Sequence, residues 1–428
     1  MLETPLTGKL IIYVELAYLL IVFFLVNSLG APYAAIYVLD VLNLFALIAA
    51  LGKIKRTFSA VRYRAVLVLF AVFCIFLVLG DLINLVSPML MIWGMRNTFR
   101  FFTFFVSCVV LLDLRDVDRI MGMFTIFQVV NLFVSLFQFF ALGLRQDTLG
   151  GIFGSAAGCN GYSNVFFCIL LTYYSLQCLA GKKPMRYFVF IAISTLALAA
   201  MAELKFFFFE FPIIVLVAAL LYVNKVRAVV VALLAVGALF VGLQIFASVF
   251  PDAYETVINF DKAFSYSSNG MAAYELSRFG AFGEINGLIF HDDLPKILLG
   301  VGFGGAESSS NIAMFNSAFS QVWGYLNYRW FSHQMWYIET GVVGFALFVG
   351  LFAAHAFYSG GLMKVHPGCR ILLQFVVLFT LVTIVNLWYN CTIRVEAAYM
   401  TFFVLSISCI VAKDDAGVPR EAEQISEL

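Results

Sequence analysis

Long apolar stretches, separated by short polar connections, run along most of this 428-residue chain. Many of them approach about 20 residues, the length at which an α-helix crosses the hydrocarbon core of a bilayer. The pattern predicts an all-α polytopic membrane protein with about twelve transmembrane helices. The predicted spans are residues 10–29, 33–51, 65–90, 97–112, 120–143, 161–180, 187–202, 206–223, 228–250, 335–357, 371–388 and 395–412.

The third predicted span is longer than a bilayer requires, and Asp81 and Asn84 interrupt it. Polar side chains are costly in hydrocarbon unless they find partners. We therefore expect this segment to break near these two residues and to run partly along the membrane interface.

The composition indicates that lipid is the main solvent. The chain is 63% hydrophobic and 12% charged, with a mean hydropathy of +0.97. A soluble protein of this length could not bury that much apolar surface. The net charge of +1 indicates no particular partner, and no nucleic-acid partner is expected. The eight Cys have neither the spacing of a metal site nor that of a disulfide framework.

The basic residues predict an orientation for the helices. Connections such as 52–64 and 181–186 are rich in Lys and Arg, and twelve spans place 17 of the 26 basic residues on one side. Such an excess is typical of the cytoplasmic side. Both termini are predicted to lie there.

One outer connection is far longer than the 2–8 residues that are usual between helices of a bundle. It covers residues 251–334 and separates the ninth span from the tenth. Long ordered loops often carry function. The predicted organisation is nine helices in 1–250, an extracytoplasmic loop in 251–334, three helices in 335–412 and a cytoplasmic tail in 413–428.

Lys205 stands in a short outer connection and is followed by four Phe. An unpaired cation at the depth of the bilayer centre costs roughly 2.5–3.5 kcal/mol. Two ordinary explanations are an ion pair with Glu203 or Glu210, and a side chain that reaches the lipid headgroups. The alternative is a group of outer cations that converge on an anionic ligand. Its candidate members are Arg96, Arg100, Lys205, Arg278 and Arg394.

The spacing within this set carries some information. Arg96 and Arg100 are four residues apart, so they share one helix face and repel each other unless a partner lies between them. Interfacial snorkelling is the ordinary alternative for both. Arg394 and Glu396 are two apart on the chain and need not pair.

His333 stands where the long loop re-enters the membrane. A lone His at an interface is either a bystander or a proton acceptor, since imidazole gains and loses a proton near neutral pH.

Four segments occur in an order that resembles the O-antigen ligase/polymerase superfamily. They are Ser277–Arg278, "LGVGFGG" at Leu299–Gly305, "SHQMWYIETGVVGF" at Ser332–Phe345, and the earlier "GGIFGSAAGCNGYSNVF" at Gly150–Phe166. In that family a Ser-Arg, a Gly-Val-Gly and a His-Asn followed by an aromatic, a Glu and Gly-Leu-Gly recur in this order. Gln334 stands where the family often has Asn, and Lys205 stands where it often has Arg.

The resemblance implies a GT-C-type glycosyltransferase architecture in the bacterial cytoplasmic membrane. Its activity would be that of a polysaccharide polymerase, which joins undecaprenyl-diphosphate-linked oligosaccharide repeat units of capsule, exopolysaccharide or O-antigen. Transfer would invert the anomeric carbon at the outer face of the membrane. Further partners would be membrane lipid, and the flippase and chain-length regulator of the same pathway.

The same resemblance implies roles for individual residues. His333 would accept the proton of the acceptor hydroxyl as general base. Arg278 would stabilise the departing diphosphate. Arg96, Arg100, Lys205 and Arg394 would help to bind it, with Glu203, Glu339 and Gln334 as supporting residues. No cofactor is expected, because basic side chains can replace a metal ion at a diphosphate.

Two other functions compete with polymerisation. A ligase of the same superfamily transfers a finished glycan to another acceptor. A lipid-linked sugar transporter or flippase is expected to place charges along a path through the bilayer centre. In this chain the polar residues crowd one face, with Asp81 as the main exception, which favours surface chemistry.

Overall fold

A computed structural model describes residues 5–222, 225–259, 262, 275–309 and 312–415. Within these ranges the chain is helical, and no β-strand occurs in this part of it. The described residues do not include the predicted tail beyond residue 415. They also leave out residues 260–274 of the predicted long loop, except for residue 262.

The helices are α1 (Pro5–Leu29), α2 (Val38–Ala50), α3 (Ile54–Val61), α4 (Arg64–Ile83), α5 (Pro88–Leu111), α6 (Leu114–Ala141), α7 (Asn160–Leu179), α8 (Met185–Met201), α9 (Phe207–Leu220), α10 (Lys225–Val249), α11 (Pro251–Ile258), α12 (Ala281–Glu284), α13 (Leu294–Leu299), α14 (Ala318–Trp323), α15 (Ser332–Val365), α16 (Arg370–Asn386) and α17 (Ala398–Asp415).

Each predicted span contains a helix, and the protein is a helical membrane protein by its apolar segments. Among the described residues, seven helical segments are long and apolar enough to cross a bilayer. They are Thr7–Leu29, Tyr33–Val61, Arg64–Ile83, Leu114–Ala141, Val226–Val249, Ser332–Val365 and Pro367–Asn386. Two more, α8 and α9, are apolar but shorter. Twelve crossings and a GT-C-type architecture therefore stay predictions.

The third predicted span ends earlier than its apolar run. The helix α4 stops at Ile83, and α5 begins at Pro88 rather than at residue 97. Proline suits the first turn of a helix, because the N–H group that it lacks would have no partner there. Asp81 lies at the end of α4 and is only 2% exposed, so it faces the protein interior. The predicted break is present, but residues 88–90 belong to the next helix.

The basic connections come together at one end of the helices, called here the basic end. Lys9 at the start of α1 pairs with Asp113 at 2.5 Å and with Asp116 at 2.7 Å. Asp113 lies in the connection between α5 and α6, and Asp116 lies in the first turn of α6. Lys182, after α7, lies 3.5 Å from the carbonyl oxygen of Gly368, before α16. Since α7 and α16 run lengthwise through the bundle, the connections at their other ends meet at the opposite end, called here the loop end.

At the loop end, α15 is broken at Gly341, which has a φ of +61°. A Cβ there would lie 2.4 Å from the carbonyl carbon of Leu298, so only glycine fits. The Gly-rich segment 299–305 fills the break, and the Val301 N–H donates to the Ile338 carbonyl oxygen at 2.9 Å. On its other side, Gly304 touches the backbone of Leu90 at the start of α5. The break thus fixes the Gly-rich segment between α5 and α15.

Candidate active site

A buried ion-pair group forms directly beside the break in α15. The Arg394 guanidinium lies 2.6 Å from the Glu339 carboxylate and 2.7 Å from that of Glu307. The Gly304 N–H donates to the other oxygen of Glu339 at 3.1 Å. Burial lowers the pKa of Arg394, but the two carboxylates outweigh it and raise the pKa above its ordinary value. Arg394 therefore stays charged and ties the Gly-rich segment to the connection before α17.

A second ion-pair group lies at the loop-end half of α5. Arg96 and Arg100 both reach Asp40 of α2, so they do share one face of the helix. Arg100 also lies 3.0 Å from Glu396, which accepts a hydrogen bond from the Tyr162 hydroxyl at 3.0 Å. Glu396 thus joins Arg100 to Tyr162 of α7.

These two groups line one polar cavity of about 360 Å³. Its walls come from the connections before α2 and α17, from α5, from residues 307–309 and 329–330, and from the start of α15. Three of the predicted diphosphate ligands, Arg96, Arg100 and Arg394, meet in it, although they are far apart in sequence. The fourth arginine of the lining, Arg329, is exposed and donates to the carbonyl oxygen of Ser308 at 2.8 Å.

The Ser277–Arg278 segment is held through its main chain. The Gln334 side chain donates to the Ser277 carbonyl oxygen at 3.1 Å, and His333 Nε2 lies 2.8 Å from the Arg278 carbonyl oxygen. Glu284 accepts from the Ser277 N–H at 2.8 Å and from its hydroxyl at 2.5 Å. Residues 55 apart in the chain are thereby joined, and the backbone that carries Arg278 is fixed on both sides.

The Arg278 guanidinium lies over two aromatic rings. Its central carbon is 4.9 Å from the centre of the Phe331 ring and 5.6 Å from that of Tyr389. Tyr389 stacks on Phe206 at 4.6 Å, and the neighbouring Lys205 pairs with Glu203 at 3.0 Å. Of the remaining two predicted cations, Arg278 thus contacts one ring of this stacked pair, and Lys205 precedes the other ring in the chain. Cation–π contacts of this kind contribute about 0.5–2 kcal/mol each.

Four of the predicted outer cations have acidic partners in the fold. Arg96, Arg100, Lys205 and Arg394 each contact at least one carboxylate. The partners of the three arginines come from distant positions in the sequence, whereas that of Lys205 is two residues away. Of the two acids considered for Lys205, Glu203 is its partner. Glu210 instead accepts from the Asn386 side chain at 2.7 Å. A polyanion is therefore not needed to relieve repulsion among these four side chains.

His333 lies beside the main chain of Arg278, but it does not line the cavity. The side chain is fully buried, and Nδ1 lies 3.0 Å from the Leu387 carbonyl oxygen. Carbonyl oxygens only accept, so each contact is a hydrogen bond only where the facing ring nitrogen carries a proton. A general base needs a free lone pair. The proton-accepting role of His333 therefore stays a prediction, and it requires one of the two carbonyl contacts to open.

Several residues of these groups were missed by sequence reasoning. They are Asp40, Tyr162, Glu284, Glu307, Tyr389 and Glu396 as a partner of Arg100. An acid within an apolar helix, such as Asp40 in α2, was the available signal, because such a residue requires a cationic partner. Glu307 carried no comparable signal, since it follows a loop whose path the sequence does not determine.

Replacing His333 tests whether it holds the Arg278 backbone. We expect His333→Ala to speed hydrogen–deuterium exchange of the Ser277 and Gly280 amides by about 5- to 150-fold, because the buried Arg278 carbonyl group loses the donor at Nε2, which costs roughly 1–3 kcal/mol. His333→Gln restores a donor that resembles that of Gln334 and should retain most of the protection. Equal exchange rates in both variants and the wild type would contradict the role of His333 in holding the Arg278 backbone. Peptides of α8 serve as the internal control.

Metal ligation has no visible candidate in the described part of the chain, where no group of three or more His, Cys, Asp or Glu side chains is placed to hold an ion. Metal-independent chemistry stays a prediction.

Comparison with known proteins identifies no family for this chain. No family model matches the chain, and no curated protein matches it either.

Proposed function

We propose that this protein is a membrane polysaccharide polymerase. It joins undecaprenyl-diphosphate-linked oligosaccharide repeat units by inverting glycosyl transfer at the outer face of the bacterial cytoplasmic membrane. The observation that carries the proposal is the contact of His333 and Gln334 with the Ser277–Arg278 main chain. Two of the segments that resemble the superfamily meet in this contact, and a third, the Gly-rich segment, touches Glu339 of the same helix.

Arg278 has the central role in this proposal. Breaking the bond between the sugar and the diphosphate leaves negative charge on the departing oxygen, and a guanidinium held in place stabilises that charge. The main chain at Arg278 is fixed before substrate arrives, so little reorganisation is needed. Lys205 precedes Phe206 of the stacked ring pair in the chain and carries a second positive charge, which would leave Glu203 to meet the diphosphate. The acceptor hydroxyl loses its proton to His333 once the contact with Arg278 opens.

The orientation belongs to the same proposal. The basic end faces the cytoplasm with both termini, and the loop end faces outward, where lipid-linked repeat units are joined. The flippase that delivers these units and the regulator of chain length are the expected partners.

The test uses the purified full-length chain in lipid nanodiscs with lipid-linked repeat units. We expect products that contain two or more repeat units, and one undecaprenyl diphosphate released for each bond formed. Arg115→Ala serves as a matched control, since Arg115 is exposed at the basic end. Transfer of preformed long chains to a different acceptor, without elongation of single units, would support the ligase instead.

A transporter is the second candidate, and buried acids within the apolar helices favour it. Glu15 of α1 is 0% exposed, and no described residue hydrogen-bonds to its carboxylate. Glu210 of α9 is 4% exposed. Asp81 is therefore not the main exception to the crowding of polar residues at one face. Ionisable residues at this depth often mark transport paths. Movement of lipid-linked units between leaflets, with no bond formed between them, would identify this function.

A further inference from the structure

The polar cavity at the loop end is electrically balanced, although four arginines line it. Arg96 and Arg100 contact Asp40, Arg100 contacts Glu396, and Arg394 contacts Glu307 and Glu339. With Arg329, which also lines the cavity, four guanidinium groups stand against four carboxylates, of which those of Asp40 and Glu339 lie behind the lining. A site for a diphosphate needs cations in excess, and this cavity has none if every acid is ionised.

The arginines of the cavity are also occupied geometrically. Arg96 directs Nε and one terminal nitrogen to Asp40 and the other to the Asn97 side chain at 2.9 Å. Arg394 directs each terminal nitrogen to a different carboxylate. Bidentate binding of a phosphate needs two parallel N–H groups of one guanidinium. These two side chains would have to give up their carboxylates to provide them.

Aromatic side chains complete the lining. Tyr33 and Trp330 are 50% exposed each, and Tyr37 and Trp93 also face the cavity. Arg96 lies between the last two, 5.1 Å from the centre of the Tyr37 ring and 5.0 Å from that of Trp93. The face of an aromatic ring carries partial negative charge and attracts polarised C–H groups. Rings of this kind beside mixed donors and acceptors suit a molecule with hydroxyl groups at its edge and C–H groups on its face.

We propose that this cavity binds the saccharide part of the substrate through its hydroxyl groups and ring faces, whereas the diphosphate binds beside Arg278 and Lys205. This assignment rests on the proposed function. Arg96, Arg100 and Arg394 then belong to the saccharide subsite, and Arg278 and Lys205 belong to the diphosphate subsite. Carboxylates such as Glu396 accept from sugar hydroxyls, and the guanidinium groups donate to them. The volume of about 360 Å³ lies at the lower end of the range of small-molecule sites, about 300–1,000 Å³.

Binding of the two halves of the substrate can be measured separately. One probe is the repeat-unit oligosaccharide released by mild acid from lipid-linked intermediates of the host, and the other is undecaprenyl diphosphate without sugar. Titration calorimetry with the full-length chain in nanodiscs needs no turnover. Trp330→Ala is the main variant, because the half-exposed ring can be removed without opening the core. Tyr325→Ala is its matched control, since this ring is 54% exposed and lies outside the cavity lining.

We expect Trp330→Ala to weaken oligosaccharide binding by about five- to tenfold, in line with one lost aromatic contact. Its affinity for undecaprenyl diphosphate should stay within about twofold of wild type. Arg278→Ala should weaken binding of undecaprenyl diphosphate and leave oligosaccharide binding unchanged. Tyr325→Ala should change neither affinity. The inference is overturned if undecaprenyl diphosphate displaces the oligosaccharide, if Trp330→Ala weakens both probes equally, or if the wild type shows no saturable oligosaccharide binding.

Failure of the proposed function would look different. Selective loss of oligosaccharide binding in Trp330→Ala, together with a wild type that elongates nothing, would keep the saccharide site and reject the polymerase.

Discussion

Replacing Arg278 by alanine is expected to lower the rate of chain elongation by about 100- to 1,000-fold, the usual cost of removing one preorganised group that stabilises departing charge. The physical reason is the placement of its guanidinium over the Phe331 and Tyr389 rings on a fixed main chain. The measurement is single-turnover release of undecaprenyl diphosphate from lipid-linked repeat units. Since Ser277 keeps its contacts with Glu284 and Gln334, the variant should still fold, with an unfolding temperature lowered only by the loss of the two cation–π contacts.

Arg278→Lys separates charge from geometry in the same assay. Lysine keeps the positive charge but presents a point charge instead of a planar fork. We expect a rate between those of the wild type and Arg278→Ala, and wild-type activity in Arg115→Ala. A rate in Arg278→Ala within about threefold of wild type would remove Arg278 from the site, because no group that stabilises the leaving oxygen is so dispensable.

The largest loss of stability is expected from Arg394→Met. This change leaves Glu339, which is 0% exposed, and Glu307, which is 6% exposed, buried without their cation. Removing one partner of a buried ion pair typically costs about 3–5 kcal/mol of unfolding free energy. The measurement is the unfolding midpoint in detergent. Arg145→Met is the matched control, because Arg145 is exposed and its contact is the Phe139 ring.

Adding Glu339→Gln and Glu307→Gln to Arg394→Met should restore much of the lost stability. Uncharged groups in place of a complete buried ion pair are often neutral or stabilising. A single Arg394→Met variant as stable as wild type would show that the carboxylates take up protons and that the group contributes little.

The helices were predictable because lipid imposes a simple requirement on each of them. A helix satisfies its own backbone hydrogen bonds inside the bilayer, and it needs enough consecutive apolar side chains to cross the hydrocarbon. This second requirement is visible in the hydropathy of each segment. The boundary at Pro88 was missed because Leu85, Val86, Met89 and Leu90 continue the apolar run past Asn84. The break at Gly341 was missed for a related reason, since a glycine alone does not tell whether another segment lies against it.

The candidate site was only partly predictable. The cations could be identified, because charge at a membrane surface is conspicuous in sequence. Their partners could not, since Arg394 meets Glu339 across 55 residues and Glu307 across 87, and no local rule sets such separations. Balance of charge is a property of the assembled group, so the sequence indicated a cationic cluster where the fold has paired ions.

The side chains of His333 and Gln334 contact the main-chain oxygens of Arg278 and Ser277, and this has an evolutionary consequence. Main-chain oxygens are common to all amino acids, so the segment 276–278 can exchange side chains and still offer the same acceptors. Methods that score residue identity cannot register a partnership of this kind. Divergent descendants could thus preserve the architecture of such a centre long after their sequences had ceased to look alike.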